Sequence, residues 1–167
     1  MKEPKTPSES AVNDHTYRIF PNDLNSHGTA FGGLIMSILD RVAAVVAERH
    51  AQNTSVTASV DAIHFLAPAG RGENLIFMAA VNRTWNTSME IGVKVIAEDN
   101  LDDRKRRHIV SAYLTFVALD ENRKPTAVPP IKAESKDEKR RFVEAEMRRQ
   151  HRFKGAQEKK KRREETS

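Results

Sequence analysis

The stretch of residues 25–50 joins polar residues that can do chemistry to a long apolar segment. Gly28, Gly32 and Gly33 lie in or beside a short loop, and a helical pattern of apolar residues follows them. Asp40 falls about two turns into that helix, where a carboxylate among apolar neighbours costs free energy unless it is paired or used. The start of a helix offers unpaired N–H groups and a partial positive charge. The pattern therefore indicates a base beside a donor-rich site, which is what attack on a carbonyl carbon requires.

Two glycines and one acid define the predicted chemistry. The amides of Gly32 and Gly33 are expected to polarise a thioester or ester carbonyl, as an oxyanion hole does. Asp40 would then activate water as a general base or attack the carbonyl itself, and both roles stay open. A helical acid that pairs with a basic residue, or that lies at a subunit seam, is equally consistent with the residues. His27 is a weaker candidate base, because a local hydrogen bond accounts for a loop histidine.

The composition excludes several classes of function. The chain has 167 residues and no cysteine, which rules out disulfides, thiolate catalysis and cysteine-ligated metals. Its histidines show no metal-binding spacing, so we predict no metal and no cofactor. The first ten residues are polar, and no apolar run reaches the roughly 18 residues that a membrane helix needs. These features predict a cytoplasmic protein with no membrane partner.

Alternating apolar residues predict a sheet, and a longer apolar run predicts one buried helix. The predicted strands are 15–20, 55–65, 74–84, 89–97 and 108–119, and the predicted helix is 33–52. This order predicts an α+β fold in which an antiparallel sheet wraps around one long central helix. The domain is expected over 15–131, after a disordered leader at 1–14. A charged helix is expected at 132–153, followed by a disordered basic tail at 154–167.

The net charge of +5 is concentrated in the C-terminal segment. Residues 132–167 hold 14 Lys/Arg against 8 Asp/Glu, a balance of +6. Nucleic-acid binding through this segment is an alternative, but few aromatic residues interleave the charges and no recognition motif is present. A solvated helix and tail, and no nucleic-acid partner, are therefore predicted.

Four ordered segments resemble a known family. They are NSHGTAFGG at 25–33, the helix through LDRVAAVVA, VTASVDAI at 56–63 and TSMEIG at 87–92. Together they look like the hot-dog-fold acyl-CoA thioesterases, in the branch that includes the cytosolic long-chain acyl-CoA hydrolases and short bacterial relatives. The resemblance covers residues from about 12 to 150 and implies the hot-dog fold, a sheet wrapped around a central helix. It also implies homodimers whose sheets join edge to edge, often assembled as trimers of dimers into hexamers.

The resemblance also implies which residues act. The functional asparagine and aspartate of the family match Asn25 and Asp40, each contributed by a different protomer. The strand threonine that helps to hold water or the carbonyl matches Thr57. The segment that lies near coenzyme A matches residues 87–90, which are Thr87, Ser88, Met89 and Glu90.

The expected function is hydrolysis of fatty acyl-CoA to a free fatty acid and coenzyme A. A non-catalytic acyl-CoA-binding or regulatory module is the first alternative, although the presence of both Asn25 and Asp40 argues against it. A hot-dog hydratase is the second alternative. Such enzymes resemble a pattern in which a histidine closely follows the helical acid, and residues 41–47 contain none.

Overall fold

Five strands and two helices organise the protein in a computed structural model, which describes residues 2–99 and 105–165. The elements are β1 (Val12–Arg18), α1 (Gly32–Ala51), β2 (Ser55–Phe65), β3 (Asn74–Thr84), β4 (Ser88–Glu98), β5 (Arg106–Ala118) and α2 (Lys136–Glu165). The strands form one antiparallel sheet in the order β1-β3-β4-β5-β2. This arrangement confirms the predicted α+β hot-dog fold. Residues 100–104, between the predicted strands 89–97 and 108–119, lie outside the described residues.

Helix α1 fills the concave face of the sheet. Its apolar residues pack against the inward side chains of β3, β4 and β5, and this contact forms the main core. The helix begins where Phe31 is still extended and its carbonyl accepts hydrogen bonds from the Leu34 and Ile35 amides. It ends at Gln52, which adopts a left-handed φ of 55° and donates its N–H to the Glu48 carbonyl at 2.8 Å. No helix of the described residues is both long and apolar enough to cross a membrane.

Strand β2 forms one edge of the sheet and is interrupted twice. It pairs with β5, and the register shifts between Thr57 and Ser59 and again between Val60 and Ala62. Such shifts mark β-bulges, in which an extra residue bends the strand and redirects side chains. Between the shifts and beyond them the pairing is regular, so β2 keeps its place in the sheet while its side chains change direction.

Helix α2 covers the opposite face of the sheet through charged and aromatic contacts. Arg148 binds the buried carboxylate of Glu90 through Nε at 3.0 Å and Nη2 at 2.8 Å. The guanidinium carbon of Arg148 lies 3.7 Å from the centre of the Tyr113 ring. Near the start of the helix, Arg83 of β3 lies over Phe142 at 4.0 Å. The apolar stripe on this helix is thin, so ion pairs and cation–π contacts hold it to the sheet.

The N-terminal residues differ from the expected disordered leader. β1 begins at Val12, and Lys5 forms a bridge with Ile131. The Lys5 ammonium also donates to the His50 carbonyl at 3.0 Å, near the end of α1. Carbonyls at a helix C-terminus attract cations, so this lysine gains a specific partner that polar composition does not reveal.

The C-terminal residues also differ from the prediction. Helix α2 continues to Glu165, so residues 154–165 are helical rather than a disordered tail. Lysine, arginine, glutamate, glutamine and alanine all favour helices. Ion pairs one turn apart add to this preference, as between Lys160 and Glu164 at 3.8 Å.

Candidate active site

Strand β2 and helix α1 meet through a polar contact between Thr57 and Asp40. The Thr57 hydroxyl donates a hydrogen bond to Oδ1 of Asp40 at 2.8 Å. Thr57 is exposed and Asp40 is half-buried, so the pair faces outward from the core. Within the described residues no donor reaches Oδ2, which leaves one carboxylate oxygen open to water or to a ligand.

Asn25 organises the loop that precedes α1. Its Oδ1 accepts hydrogen bonds from the amides of His27 at 2.9 Å and Thr29 at 3.2 Å. Its Nδ2 donates to the Thr29 hydroxyl at 2.9 Å, which leaves one of the two amide hydrogens for another acceptor. Gly28 sits in the turn with a φ of 75°, a value that glycine adopts without strain. The side chain of His27 is exposed at this turn.

The first turn of α1 presents the two predicted glycines. Neither the Gly32 nor the Gly33 amide has a backbone acceptor within the described residues, as is usual at the start of a helix. A Cβ at Gly33 would collide with the ring of Phe31. Glycine at this position therefore allows the Phe31 ring to lie against the start of the helix.

A pocket of about 440 Å³ lies beside this turn. Its lining includes Asn25, Gly32, Phe65, Leu66 and Pro68. Asp40 does not line it, because at 1.5 Å per residue the aspartate lies about 12 Å further along α1 than Gly32. Within one protomer, the pocket beside Asn25 and the Thr57–Asp40 pair are therefore separate halves of the predicted site.

Apolar side chains are exposed around both halves. They lie on α1, on β2 and in the adjoining loops, and they are Phe31, Met36, Val45, Val56, Val60, Phe65 and Leu66. A surface on which so many large apolar residues cluster marks a site of association. It is continuous with Thr57 and with the pocket beside Asn25.

The loop that walls the pocket is fixed by an ion pair. The Arg107 guanidinium binds the Glu73 carboxylate and donates to the Pro68 carbonyl at 2.7 Å. The hydrogen bonds from Arg107 hold the pKa of Glu73 below its ordinary value. The Gly70 amide also donates to Glu73, at 2.6 Å, so the carboxylate joins both ends of the loop.

The segment expected to lie near coenzyme A is only partly accessible. Thr87 and Ser88 are half-buried at the start of β4. Met89 lies in the core against α1, and Glu90 is buried beneath α2. Since neither of these two side chains reaches the surface, a contact of either side chain with the ligand does not fit the structure.

Some residues near the site have roles that sequence patterns did not reveal. Asp61 pairs with Arg152 of α2, and Phe65 closes over the start of α1 at Gly32. The signal in the sequence for the first contact was Asp61 itself, because an acid inside an alternating strand is rarely buried unless it has a partner. Among the described residues no group of three or more acidic or histidine side chains could hold a metal, and the absence of a cofactor stays a prediction.

Comparisons with known proteins agree with this architecture. A Thioesterase superfamily profile matches residues 27–102. The uncharacterized acyl-CoA thioester hydrolase YkhA of Bacillus subtilis is 42% identical over 123 residues, which are 74% of this chain and 71% of YkhA. The cytosolic acyl coenzyme A thioester hydrolase of Rattus norvegicus is 39% identical over 147 residues. That match covers 87% of this chain but 38% of the rat enzyme, which is much longer.

Solved structures show the same similarity. An apo-hexameric acyl-CoA thioesterase superposes with a TM-score of 0.88 at 34% identity, covering 92% of this chain and 97% of the other. An acyl-CoA hydrolase of Staphylococcus aureus, solved with butyryl coenzyme A and coenzyme A, gives 0.87 at 37% identity, covering 96% of both chains. That enzyme has also been solved with an asparagine, an aspartate and a threonine each replaced by alanine. Those three residues are separated by 15 and 17 positions, as Asn25, Asp40 and Thr57 are.

The fold and the comparisons together define the class of the protein, a hot-dog-fold thioester hydrolase. The chain belongs to the thioesterase superfamily, among the acyl-CoA thioester hydrolases.

Proposed function

We propose that the protein hydrolyses fatty acyl-CoA to a free fatty acid and coenzyme A, with Asp40 as the reacting carboxylate. The observation that carries this proposal is the outward-facing hydrogen bond between Thr57 and Asp40, which leaves Oδ2 of the acid open. The matching spacing of three substituted residues in the Staphylococcus aureus hydrolase supports the same set of residues.

In the proposed reaction, Asp40 takes a proton from water as that water attacks the thioester carbonyl carbon. A C–O bond forms, and the negative charge that develops on the carbonyl oxygen is stabilised by the Gly32 and Gly33 amides. The C–S bond then breaks, and the coenzyme A sulfur leaves and receives a proton. If Asp40 attacks directly, a mixed anhydride forms first and water then hydrolyses it. Neither route requires a metal or a redox cofactor.

Asn25 and Asp40 act together only if two copies of the chain meet. Within one protomer Asn25 lies in the loop before α1 and Asp40 lies about two turns into the helix, and the exposed apolar surface around them is suited to cover by a second copy. We therefore place Asn25 of one protomer opposite Asp40 and Thr57 of its partner in a homodimer. The hexameric assembly of a similar thioesterase supports a trimer of such dimers.

In this proposal, the free amide hydrogen of Asn25 orients the carbonyl or the water. Thr87 and Ser88 are the members of the 87–90 segment that remain available for coenzyme A. The acyl chain then lies against the apolar residues between α1 and the sheet edge, such as Phe65 and Leu66. The proposed setting is cytoplasmic.

Replacing one oxygen of the acid tests the assignment. Asp40→Asn is nearly isosteric and removes the base, so we expect release of free coenzyme A thiol to fall by about 100-fold or more. Circular dichroism and the melting temperature should stay close to those of the wild type. A folded Asp40→Asn protein that hydrolyses acyl-CoA at the wild-type rate would contradict the role of Asp40.

A further inference from the structure

We propose that Arg152 of α2 is a positioning residue for the Thr57–Asp40 pair, because it fastens the bulged edge strand β2 to the rest of the protein. This inference rests on the proposed function, since it assigns a role in the same site. It gives helix α2 a role in hydrolysis through the position of strand β2.

The contact between Arg152 and Asp61 is short and shielded. Nη1 of Arg152 donates to both carboxylate oxygens of Asp61, at 2.6 Å for Oδ1. The side chains of Arg152 and Asp61 are 26% and 10% exposed, so water competes little with the pair. Ser59 adds a 3.4 Å hydrogen bond to the same carboxylate. Asp61 is thereby fixed at a defined position over the outer face of the sheet.

The bulges of β2 explain why the strand needs this contact. Thr57 is paired with Phe116, which lies in the core against α1, whereas Ser59 is paired with Thr115, which neighbours Glu90 on the outer face. In a regular strand, residues two apart share a face. The first bulge thus places Thr57 on the side of the sheet that α1 covers, near Asp40, while Ser59 is on the side that α2 covers.

The second bulge gives Asp61 its direction. The register shifts between Val60 and Ala62, so Asp61 is the extra residue of that bulge. An extra residue has no ladder partner of its own, and its side chain must be held by other contacts. Arg152 provides that contact for Asp61, which lies four residues after Thr57 in β2.

Helix α2 can hold β2 in place because the helix is itself anchored to the middle of the sheet. Arg148, one turn before Arg152, binds Glu90 on β4, and its guanidinium stacks on Tyr113 of β5. The helix therefore crosses β4, β5 and β2 and joins the edge strand to the rigid middle of the sheet. Without the Arg152–Asp61 pair, β2 keeps its ladder to β5 but loses the contact that fixes its bulged segment.

The test replaces Arg152 by leucine and compares it with Arg140→Leu. Both changes remove one positive charge from α2, but Arg140 is exposed and pairs with Asp137 and Glu144 of the same helix. We expect Arg152→Leu to lower kcat by about tenfold or more, with a much smaller change in KM, and Arg140→Leu to leave both unchanged. Arg152→Lys, which keeps a donor and the charge, should recover part of the kcat.

Amide hydrogen exchange supplies a readout that does not depend on turnover. The amides of residues 56–61 should exchange faster in Arg152→Leu than in the wild type, while those of β3 stay unchanged. If Arg152→Leu does not fold, Arg152→Gln with Asp61→Asn keeps a neutral hydrogen bond and is compared in the same two assays. Failure of the wild type to hydrolyse acyl-CoA would contradict the proposed function, and the exchange of β2 would still decide whether Arg152 holds the strand.

Two results would overturn the inference. One is wild-type kcat together with wild-type exchange in β2 for Arg152→Leu. The other is a rise in KM with an unchanged kcat, which would make Arg152 a ligand-binding residue instead. Removing residues 154–167 keeps Arg152 and should preserve kcat, so a loss in that variant would also contradict the assignment to this one side chain.

Discussion

The Thr57 hydroxyl lies 2.8 Å from Oδ1 of Asp40, and this hydrogen bond joins the edge strand of the sheet to the central helix. It relates two residues 17 positions apart and it is not needed for the core, because Thr57 is exposed. This polar contact at the rim of an apolar surface belongs to the site that we propose for hydrolysis.

Removing this donor should impair hydrolysis without unfolding the protein. Thr57→Val keeps the shape of the side chain and deletes the hydroxyl, so we expect kcat to fall about 10- to 100-fold. The melting temperature should change little, since Thr57 is exposed and belongs to an edge strand. Thr57→Ser retains the hydroxyl and serves as the control. Equal activity of the valine and wild-type proteins would show that the hydrogen bond has no role in turnover.

Two inactive variants should restore activity to each other. If each site takes Asn25 from one protomer and Asp40 from its partner, Asn25→Ala and Asp40→Asn proteins are both inactive alone. After subunit exchange, a mixed dimer holds one site with both residues intact, so activity should approach one quarter of the wild type, as one intact site in half of the dimers requires. Exchange is verified by mass spectrometry of the mixed oligomer. Verified exchange without recovered activity would mean that each site is built from one chain.

Breaking the buried ion pair beneath α2 should destabilise the fold. Arg148→Met leaves the Glu90 carboxylate buried with Asn82 as its remaining side-chain donor, at 2.9 Å. The loss of one partner of a buried pair costs about 3–5 kcal/mol, which urea unfolding would detect as a lower midpoint. Arg140→Met removes the same charge from an exposed pair and should leave the midpoint nearly unchanged. Equal midpoints for the two variants would contradict a structural role of Glu90.

The buried His50 should make stability depend on pH. Its Nε2 donates to the Pro129 carbonyl at 2.9 Å, and burial lowers the pKa of His50. The unfolded chain binds the proton at about pH 6.5 and the folded chain only at lower pH. The contribution of His50 to the unfolding free energy is therefore fully present above about pH 6.5. It is lost on acidification, by at most about 1.4 kcal/mol per pH unit for one proton.

His50→Gln keeps a donor for the Pro129 carbonyl and cannot take up that proton. Urea unfolding of this variant should depend less on pH between about 5 and 6.5 than unfolding of the wild type. His151→Gln, at an exposed histidine, should leave the wild-type slope unchanged. Identical slopes for His50→Gln and the wild type would rule out His50 as the titrating group.

The regular elements could be predicted from the sequence because alternation and turn clusters bound them. The predicted strands 55–65 and 74–84 coincide with β2 and β3. The same alternation assigns Met89 and Glu90 to opposite faces, but it does not show that α2 covers the outer face. Glu90 therefore looked accessible in the sequence, although α2 buries it.

The features that escaped prediction all depend on distant partners. The N-terminal lysine is ordered by carbonyls at the end of α1, and Arg152 meets an acid 91 positions away. A bulge has no residue type of its own, so the redirection of Asp61 was invisible in the sequence. Asn25 and Asp40 were identified by residue type and resemblance, whereas their separation within one protomer became evident only from the fold.

The two bulges in β2 have a consequence for insertions and deletions. Thr57 and Asp61 point to opposite sides of the sheet because of the number of residues between them, not because of what those residues are. Ala58 is the extra residue of the first bulge, so substituting it should be tolerated, and deleting it would leave a regular strand in which Thr57 and Asp61 still face opposite sides. Inserting one residue that pairs with β5 would instead turn one of the two to the wrong side. Among functional relatives, this segment should therefore change its composition, or lose its bulge, more readily than it gains a residue.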